Sequence, residues 1–412
     1  CADMGGCFIA PVPEDFEKLD AKLLTEMLDE VTLSKEAQRK IVRRLTRTQP
    51  HISVGIMSAE RIEFQMYPDG GGTRVATYRE GKIDYDGALY DELFFEEQTP
   101  STFFAEPTFE LHDVTIGKGF HWERRETQKF AGALKIIVEN NELTAINVIG
   151  VEDYLLSVIS SEMNQNSPEE FLKAHAVISR SWVMAQLAHN GKIACDAAER
   201  ESFLKCRNIE EVVTWLAMQR HSAWNESHVP EVPSGETEYI RWYDRSDHCN
   251  FDVCADDHCQ RYQGLTRATE TSVQKAIDAT WGQVLTFEGE LCDARFSKCC
   301  GGTTELFSTC WAADDKAYLP SLPDTPGHLP LDTADADGTI VVPFCSLADS
   351  PLLARVFNSY DRETTDFYRW TQVYELRELS ALVREKSGVD IGELTALEPL
   401  AKGASGRIFR LR

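Results

Sequence analysis

The chain has 412 residues, of which 42% are hydrophobic and 26% charged. That is an ordinary globular mixture, long enough for one large core or two modest ones. A formal net charge of -25 argues against a nucleic-acid binder, whose affinity comes from Lys and Arg set against phosphate. It leaves room for an anionic substrate in a locally basic pocket. No run of about 18 apolar residues occurs, so no membrane-spanning helix is expected.

Residues 14 to 48 read as helical. Phe16, Leu19, Leu23, Leu24, Met27 and Leu28 recur at helix spacing, and a second helix starting near Ser34 carries Ile41, Val42 and Leu45. The period then changes. His51 to Met57 and Arg61 to Met66 alternate like strands, and Pro68-Asp69-Gly70-Gly71-Gly72 reads as a turn. Residues 74 to 130 mix short strands and loops without a clear assignment. Leu134 to Val138 and Leu143 to Ile149 form a predicted hairpin with Asn140-Asn141 at its turn.

Val151 to Ser160 places Tyr154, Leu155, Val158 and Ile159 on one helical face. Ser161-Glu162-Met163-Asn164-Gln165-Asn166 is too polar to continue that face. Ser167-Pro168-Glu169-Glu170 then opens a second helix, with Ser167 as cap, Pro168 in the first turn and Glu170 completing a capping box. This helix carries Phe171, Ala174, Ile178, Trp182 and Ala185 and ends near Asn190-Gly191. Glu162 is therefore expected in a bend between two helices. Residue type alone makes it an ordinary surface Glu.

Farther along, residues 225 to 250 are loop-rich. Val284 to Phe287 and Cys292 to Phe296 look like a hairpin, residues 320 to 350 form a proline-rich excursion, and Leu376 to Lys386 form a helix stopped at Gly388. No internal repeat is present.

Twelve cysteines are many for a cytosolic enzyme and point to an oxidising compartment. His248, Cys249, Cys254, His258 and Cys259 lie within twelve residues. Thiolate and imidazole ligands suit zinc, with His248, Cys254, His258 and Cys259 as the ligand set. A Cys254–Cys259 disulfide is the competing reading, since only thiolates bind the metal. Cys299 and Cys300 are adjacent, and a bond between neighbours is strained. Each is expected to pair elsewhere, with Cys292 and Cys310 within reach; Cys195 and Cys206 bracket a short loop and can join. Gly301-Gly302 lets the backbone turn sharply or approach a ligand. A leading Cys1-Ala2-Asp3 suits the lipid-bearing start of a bacterial lipoprotein and equally suits a trimmed start.

Three segments in order resemble the stage II sporulation protein D family: "AINVIGVEDYLLSVISSEM…SPEEFLKAHAVISRSW", "FDVCADDHCQRYQG" and "ATWGQVLTFEGELCDARFSKCCGGTTE". Trp311, Tyr318-Leu319 and the closing "FYRW…SGRIFRL" extend the likeness, which runs over roughly residues 130 to 412. The resemblance implies a lytic transglycosylase acting on peptidoglycan, with a zinc site in some members; the family also includes amidase enhancers. Its glutamate sits in a Ser-Glu-Met triplet, which Ser161-Glu162-Met163 matches. The family often has Gln where this chain has His175, and His-Ser where it has Ser297-Lys298. Those three positions are therefore candidate substrate contacts that differ here.

One carboxyl can suffice for such chemistry, although ordinary glycosidases use two. The muramic acid 6-hydroxyl attacks its own anomeric carbon, and intramolecular attack supplies the nucleophile at very high effective concentration. Glu162 would then protonate the leaving oxygen and afterwards take the hydroxyl proton. Met163, Val158 and Trp182 are candidates for an apolar setting that keeps it protonated at the start. Lys173 and Arg180 are candidates for the lactyl carboxylate or N-acetyl groups, with a structural ion pair or a solvated helix face as the competing reading.

The expected fold is α+β. It has a mixed sheet from strands near 51 to 66, 134 to 149 and 284 to 296, packed by the 151 to 190 helix pair. A helical extension occupies 1 to 48, a strand-rich region 49 to 129 and the main domain 130 to 412. The expected partners are peptidoglycan glycan strands, in a periplasmic or extracellular setting. The alternative function is a non-catalytic enhancer of a cell-wall amidase. No cofactor is required for glycan cleavage, and zinc has a structural role if bound.

Overall fold

The computed structural model describes residues 49–67, 72–96, 107–120, 122–189, 207–208, 237–240, 248–331, 338, 340–346, 351–363 and 368–412. The expected N-terminal helices, Cys1, most of the 68–72 turn, the Asn190-Gly191 helix end, and Cys195 and Cys206 lie outside the described residues. The chain divides into two compact units. The first takes residues through Asn208, Ser246–Arg295 and Ala354–Tyr360; the second takes Ile209–Arg245, Phe296–Leu353 and Asp361–Arg412.

Ten strands open the first unit: β1 (His51–Ala59), β2 (Arg61–Met66), β3 (Arg74–Arg79), β4 (Lys82–Tyr85), β5 (Ala88–Tyr90), β6 (Glu92–Phe95), β7 (Phe109–Ile116), β8 (Arg124–Phe130), β9 (Ala133–Glu139) and β10 (Glu142–Gly150). Two short ones follow, β11 (Arg207–Asn208) and β12 (Val253–Cys254). One sheet has the order β12-β1-β10-β9-β6, the other β5-β4-β3-β2-β7-β8. The predicted β9–β10 hairpin forms in register Glu139 to Glu142. Asn140 and Asn141 turn it at φ 52° and 65°, the left-handed pair a two-residue hairpin favours. The first sheet is mixed: β1 runs antiparallel to β10 and parallel to β12.

Three expectations need correction. β1 and β2 enter different sheets after turning at Glu60, rather than one. The strands near 284 to 296, β13 (Leu285–Phe287) and β14 (Glu290–Leu291), pair with β11 in a separate small sheet. A border near residue 130 cuts the first sheet, since β6 pairs with β9 across it.

Helix α1 (Val151–Glu162) leaves β10 without a loop. Pro50 O accepts the Val151 N–H at 2.9 Å, and Gln49 Oε1 accepts the Glu152 N–H at 2.7 Å. These bonds satisfy donors that the first helical turn leaves open. Every residue of α1 except Asp153 is buried. Its apolar residues join a core with Ile52, Val54, Phe64, Phe130 and Ile136 from both sheets. Helix α2 (Glu169–His189) and helix α3 (Thr271–Ala279) pack beside it. The Ser167 hydroxyl donates to Arg355 O at 3.0 Å, where a cap on α2 had been expected.

The second unit contains the expected helix, α4 (Leu376–Ser387), closed by Gly388 at φ 73°, the left-handed C-terminal cap that glycine allows. A hairpin of β15 (Pro399–Lys402) and β16 (Ile408–Leu411) ends the chain.

Candidate functional site

Glu162 is the last residue of α1 and is 6% exposed. The polar residues Ser161-Glu162 thus continue the buried helix instead of leaving it, with partners for the Glu162 carboxylate and the Ser161 carbonyl. The Arg261 N–H donates to Glu162 Oε1 at 2.9 Å. The Tyr360 hydroxyl donates to Ser161 O at 2.6 Å, and Asn358 Nδ2 donates to the same oxygen at 2.8 Å. These bonds fix the helix end that carries the carboxyl. Val158, Met163 and Trp182, the expected apolar surroundings, are all buried.

The segment that supplies Arg261 also supplies the cysteine and histidine cluster. Asp252 anchors it to β1: its carboxylate accepts from Ser53 N–H at 2.8 Å and the Ser53 hydroxyl at 2.6 Å. Cys254 then pairs with Gly55 in the sheet. A Cβ on Gly55 would lie 2.5 Å from the Phe251 ring, and that ring stacks on His248 at 4.7 Å. Glycine is therefore required where β1 passes beneath the cluster.

One ligand-type atom from each of His248, Cys254, His258 and Cys259 lies within 4.8 Å of all the others. Cys259 Sγ is 3.5 Å from His248 Nε2 and 3.4 Å from His258 Nδ1. A tetrahedral zinc bound at ~2.3 Å to sulfur and ~2.0 Å to nitrogen would hold such atoms about 3.5 Å apart. No disulfide joins Cys254 to Cys259. Hydrogen bonding to Cys259, and then to His248 and His258, pulls the Cys254 thiol well below its usual range against the opposing effect of burial.

Tyr154 ties cluster and carboxyl together. Its hydroxyl donates to Gln260 Oε1 at 3.1 Å. Burial first, then the charges of Cys259, Cys254, Tyr262 and Glu162, hold that hydroxyl well above its usual range.

Beside this segment, a small crevice is lined by Ile56, Val114, Trp122, Asp256, Asp257 and Arg261, among others. The Arg261 guanidinium pairs with Asp257 at 2.9 Å. It also lies over the rings of Trp122 at 4.7 Å and Tyr360 at 5.2 Å. Trp122 and Tyr360 are 4.8 Å apart, and the half-exposed Phe120 stacks on Trp122 at 5.7 Å. Burial pushes the Asp256 carboxyl up, against its ion pair with Lys118. Sequence reading missed this aromatic and guanidinium stack. Phe120 and Trp122, Arg261, and Tyr360 come from three separate segments, and only that of Arg261 carried a motif.

Residues 139–287 match the family model described as Stage II sporulation protein, SpoIID. This segment belongs to the SpoIID family. SpoIID membership supports a role connected with the cell wall. Glu162 and all four cluster residues fall inside the SpoIID segment. The match is narrower than residues 130–412, because residues 305–412 match a second model, a domain of unknown function, DUF8618. An uncharacterized protein of Brachyspira hyodysenteriae is 28% identical over 91 residues, which are 22% of this chain and 25% of that protein. The chain thus spans about a quarter of that relative's length. No solved structure matches.

The other candidates within the SpoIID segment have structural surroundings. Arg180 is 0% exposed and makes a two-point ion pair with Glu152, at 2.8 and 2.6 Å, while also donating to Gln283 O at 3.0 Å. A guanidinium closed off in this way is an internal tie rather than a sugar contact. Lys173 spans Glu169 and Glu170 at 2.6 and 2.9 Å on the outer face of α2, a solvated helix pair. His175 is buried in α2 with its ring 6.3 Å from Phe171. Ser297 and Lys298 belong to the second unit. Ser297 is exposed, and Lys298 pairs with the buried Asp361 at 2.8 Å.

Among the described residues no helix is long and apolar enough to cross a membrane.

Proposed function

We propose that the chain cleaves peptidoglycan glycan strands by a lytic transglycosylase route, with Glu162 as the single general acid and base. The observation that carries this is a carboxyl held at the buried end of α1 by the N–H of Arg261, whose own side chain lines the crevice. In this reading Glu162 protonates the glycosidic oxygen as the bond to the muramic anomeric carbon breaks. It then accepts the proton of the 6-hydroxyl that closes on that carbon, leaving a 1,6-anhydro end. No water enters the products, so no second carboxylate is needed to activate one.

Phe120, 47% exposed, offers an apolar face on which a sugar ring can stack, with the buried Trp122 stacked against it. The Arg261 guanidinium, buried and held by Asp257, orders this side of the site. The reaction is tested by incubating purified, peptide-free glycan with this chain alone and analysing the new ends. Anhydro ends support the reading. Fragments that appear only when a cell-wall amidase is added favour the non-catalytic enhancer.

Zinc held by His248, Cys254, His258 and Cys259 is part of the same proposal. The donor distances fit, and four protein ligands complete a tetrahedron, the arrangement of a structural site. Bound there, the metal would order the segment that delivers the Arg261 N–H to Glu162. Cys259→Ser is expected to lose one equivalent of zinc by elemental analysis of protein purified without chelator. It should also slow glycan release by about tenfold or more, because the segment that delivers the Arg261 N–H to Glu162 loses its metal. A parent protein without zinc at this cluster would contradict the assignment.

A further inference from the structure

A second group of metal-type side chains lies in the other unit, apart from the chemistry assigned to Glu162. Cys300, Asp324 and Cys345 each place one ligand atom within 4.8 Å of the other two. The Cys300 and Cys345 sulfurs are 3.9 Å apart. Two thiolates on one tetrahedral zinc at ~2.3 Å would sit about 3.8 Å apart, whereas a disulfide closes to about 2.0 Å.

The backbone holds these residues in place. Asp324 N–H donates to Gly302 O at 2.9 Å, and Phe344 N–H donates to Asp324 O at 2.9 Å. Cys345 N–H donates to Asp324 Oδ2 at 3.2 Å, which aims the carboxylate toward the thiols. Gly301 and Gly302 turn the chain at φ 69° and 109°, and Arg407 and Arg369 bind the carbonyls of Cys300, Gly301 and Thr303. Three segments, 300–303, 324 and 344–345, are thus knitted together by main-chain bonds, and each presents one ligand.

We propose that Cys300, Asp324 and Cys345 form a second zinc site, with water in the fourth position, that fastens segments 300–303, 324 and 344–345 to one another. Two sulfurs and one oxygen suit a borderline-soft divalent ion better than magnesium or calcium, which take oxygen ligands. Because no such site preexists in an unfolded chain, binding there adds to the stability of this region. Neither family description assigns these residues a role.

The full-length chain, purified without chelator or reductant, is analysed for zinc and for thiols. Zinc that disappears in Cys300→Ser/Cys345→Ser but persists in Cys259→Ser is the expected result. Asp324→Asn keeps both thiols and is expected to weaken that zinc at least tenfold against a chromophoric chelator. It covers the case in which the double variant does not fold. Cobalt loaded in place of zinc should show thiolate charge-transfer absorption that the double variant loses. Zinc content unchanged in the Cys300→Ser/Cys345→Ser variant would overturn the proposal. So would a Cys300–Cys345 disulfide found by non-reducing peptide mapping, or an unchanged affinity in Asp324→Asn. Glycan cleavage is a separate readout, so loss of the Glu162 reading leaves this one standing.

Discussion

Replacing Glu162 by Gln is expected to lower the release of anhydro-ended fragments by at least about a hundredfold, the lower end of what a positioned acid or base contributes. Gln keeps the volume and an oxygen that can accept the Arg261 N–H, so the end of α1 should stay in place. What it cannot do is give up and recover a proton. The loss should therefore fall on the rate at saturating glycan, with binding little changed. Circular dichroism and the thermal midpoint should match the parent chain. A variant that releases fragments at the parent rate would remove Glu162 from the chemistry.

Arg180→Ala should produce the largest loss of stability. Glu152, 3% exposed, would remain buried with the Gly282 N–H at 3.1 Å but without its two guanidinium bonds. Removing one partner of a buried pair costs about 3–5 kcal/mol. That is enough to lower the midpoint by roughly 10 °C in a unit of this size. The same ion pair joins the first turn of α1 to the middle of α2 and to the 282–283 turn. Loss of activity should therefore follow unfolding, and the folded fraction should keep its rate. Equilibrium denaturation measures this. A cost under about 1 kcal/mol would show that the pair is not the internal tie described above.

How much of this could be read beforehand differs by element. The β9–β10 hairpin was legible because Asn140-Asn141 announces a left-handed turn between two apolar runs. Helices α1 and α2 were legible from apolar spacing. Beyond β2, the six-stranded sheet was not, since strands such as Arg124–Phe130, with mostly polar residues and short turns, carry little alternation. Arg180 was left between a sugar contact and a structural ion pair for a different reason. Residue type marks it as a carboxylate binder, but spacing does not say that the carboxylate is Glu152. Glu162 stood out only through its triplet, because a buried Glu at a helix end looks in sequence like a solvated one. Cys300 and Cys345 are 45 residues apart, and no spacing rule joins them. The stack of Trp122, Arg261 and Tyr360 likewise needed three distant segments to meet.

The most direct measurement runs the cleavage in water enriched in heavy oxygen, using peptide-free glycan and the purified chain with no amidase present. Ring closure by the muramic 6-hydroxyl predicts new ends that are anhydro sugars carrying no label. Labelled reducing ends would show that water was the nucleophile, and an absence of new ends would show that the chain alone does not cut; either would contradict a single-glutamate transglycosylase.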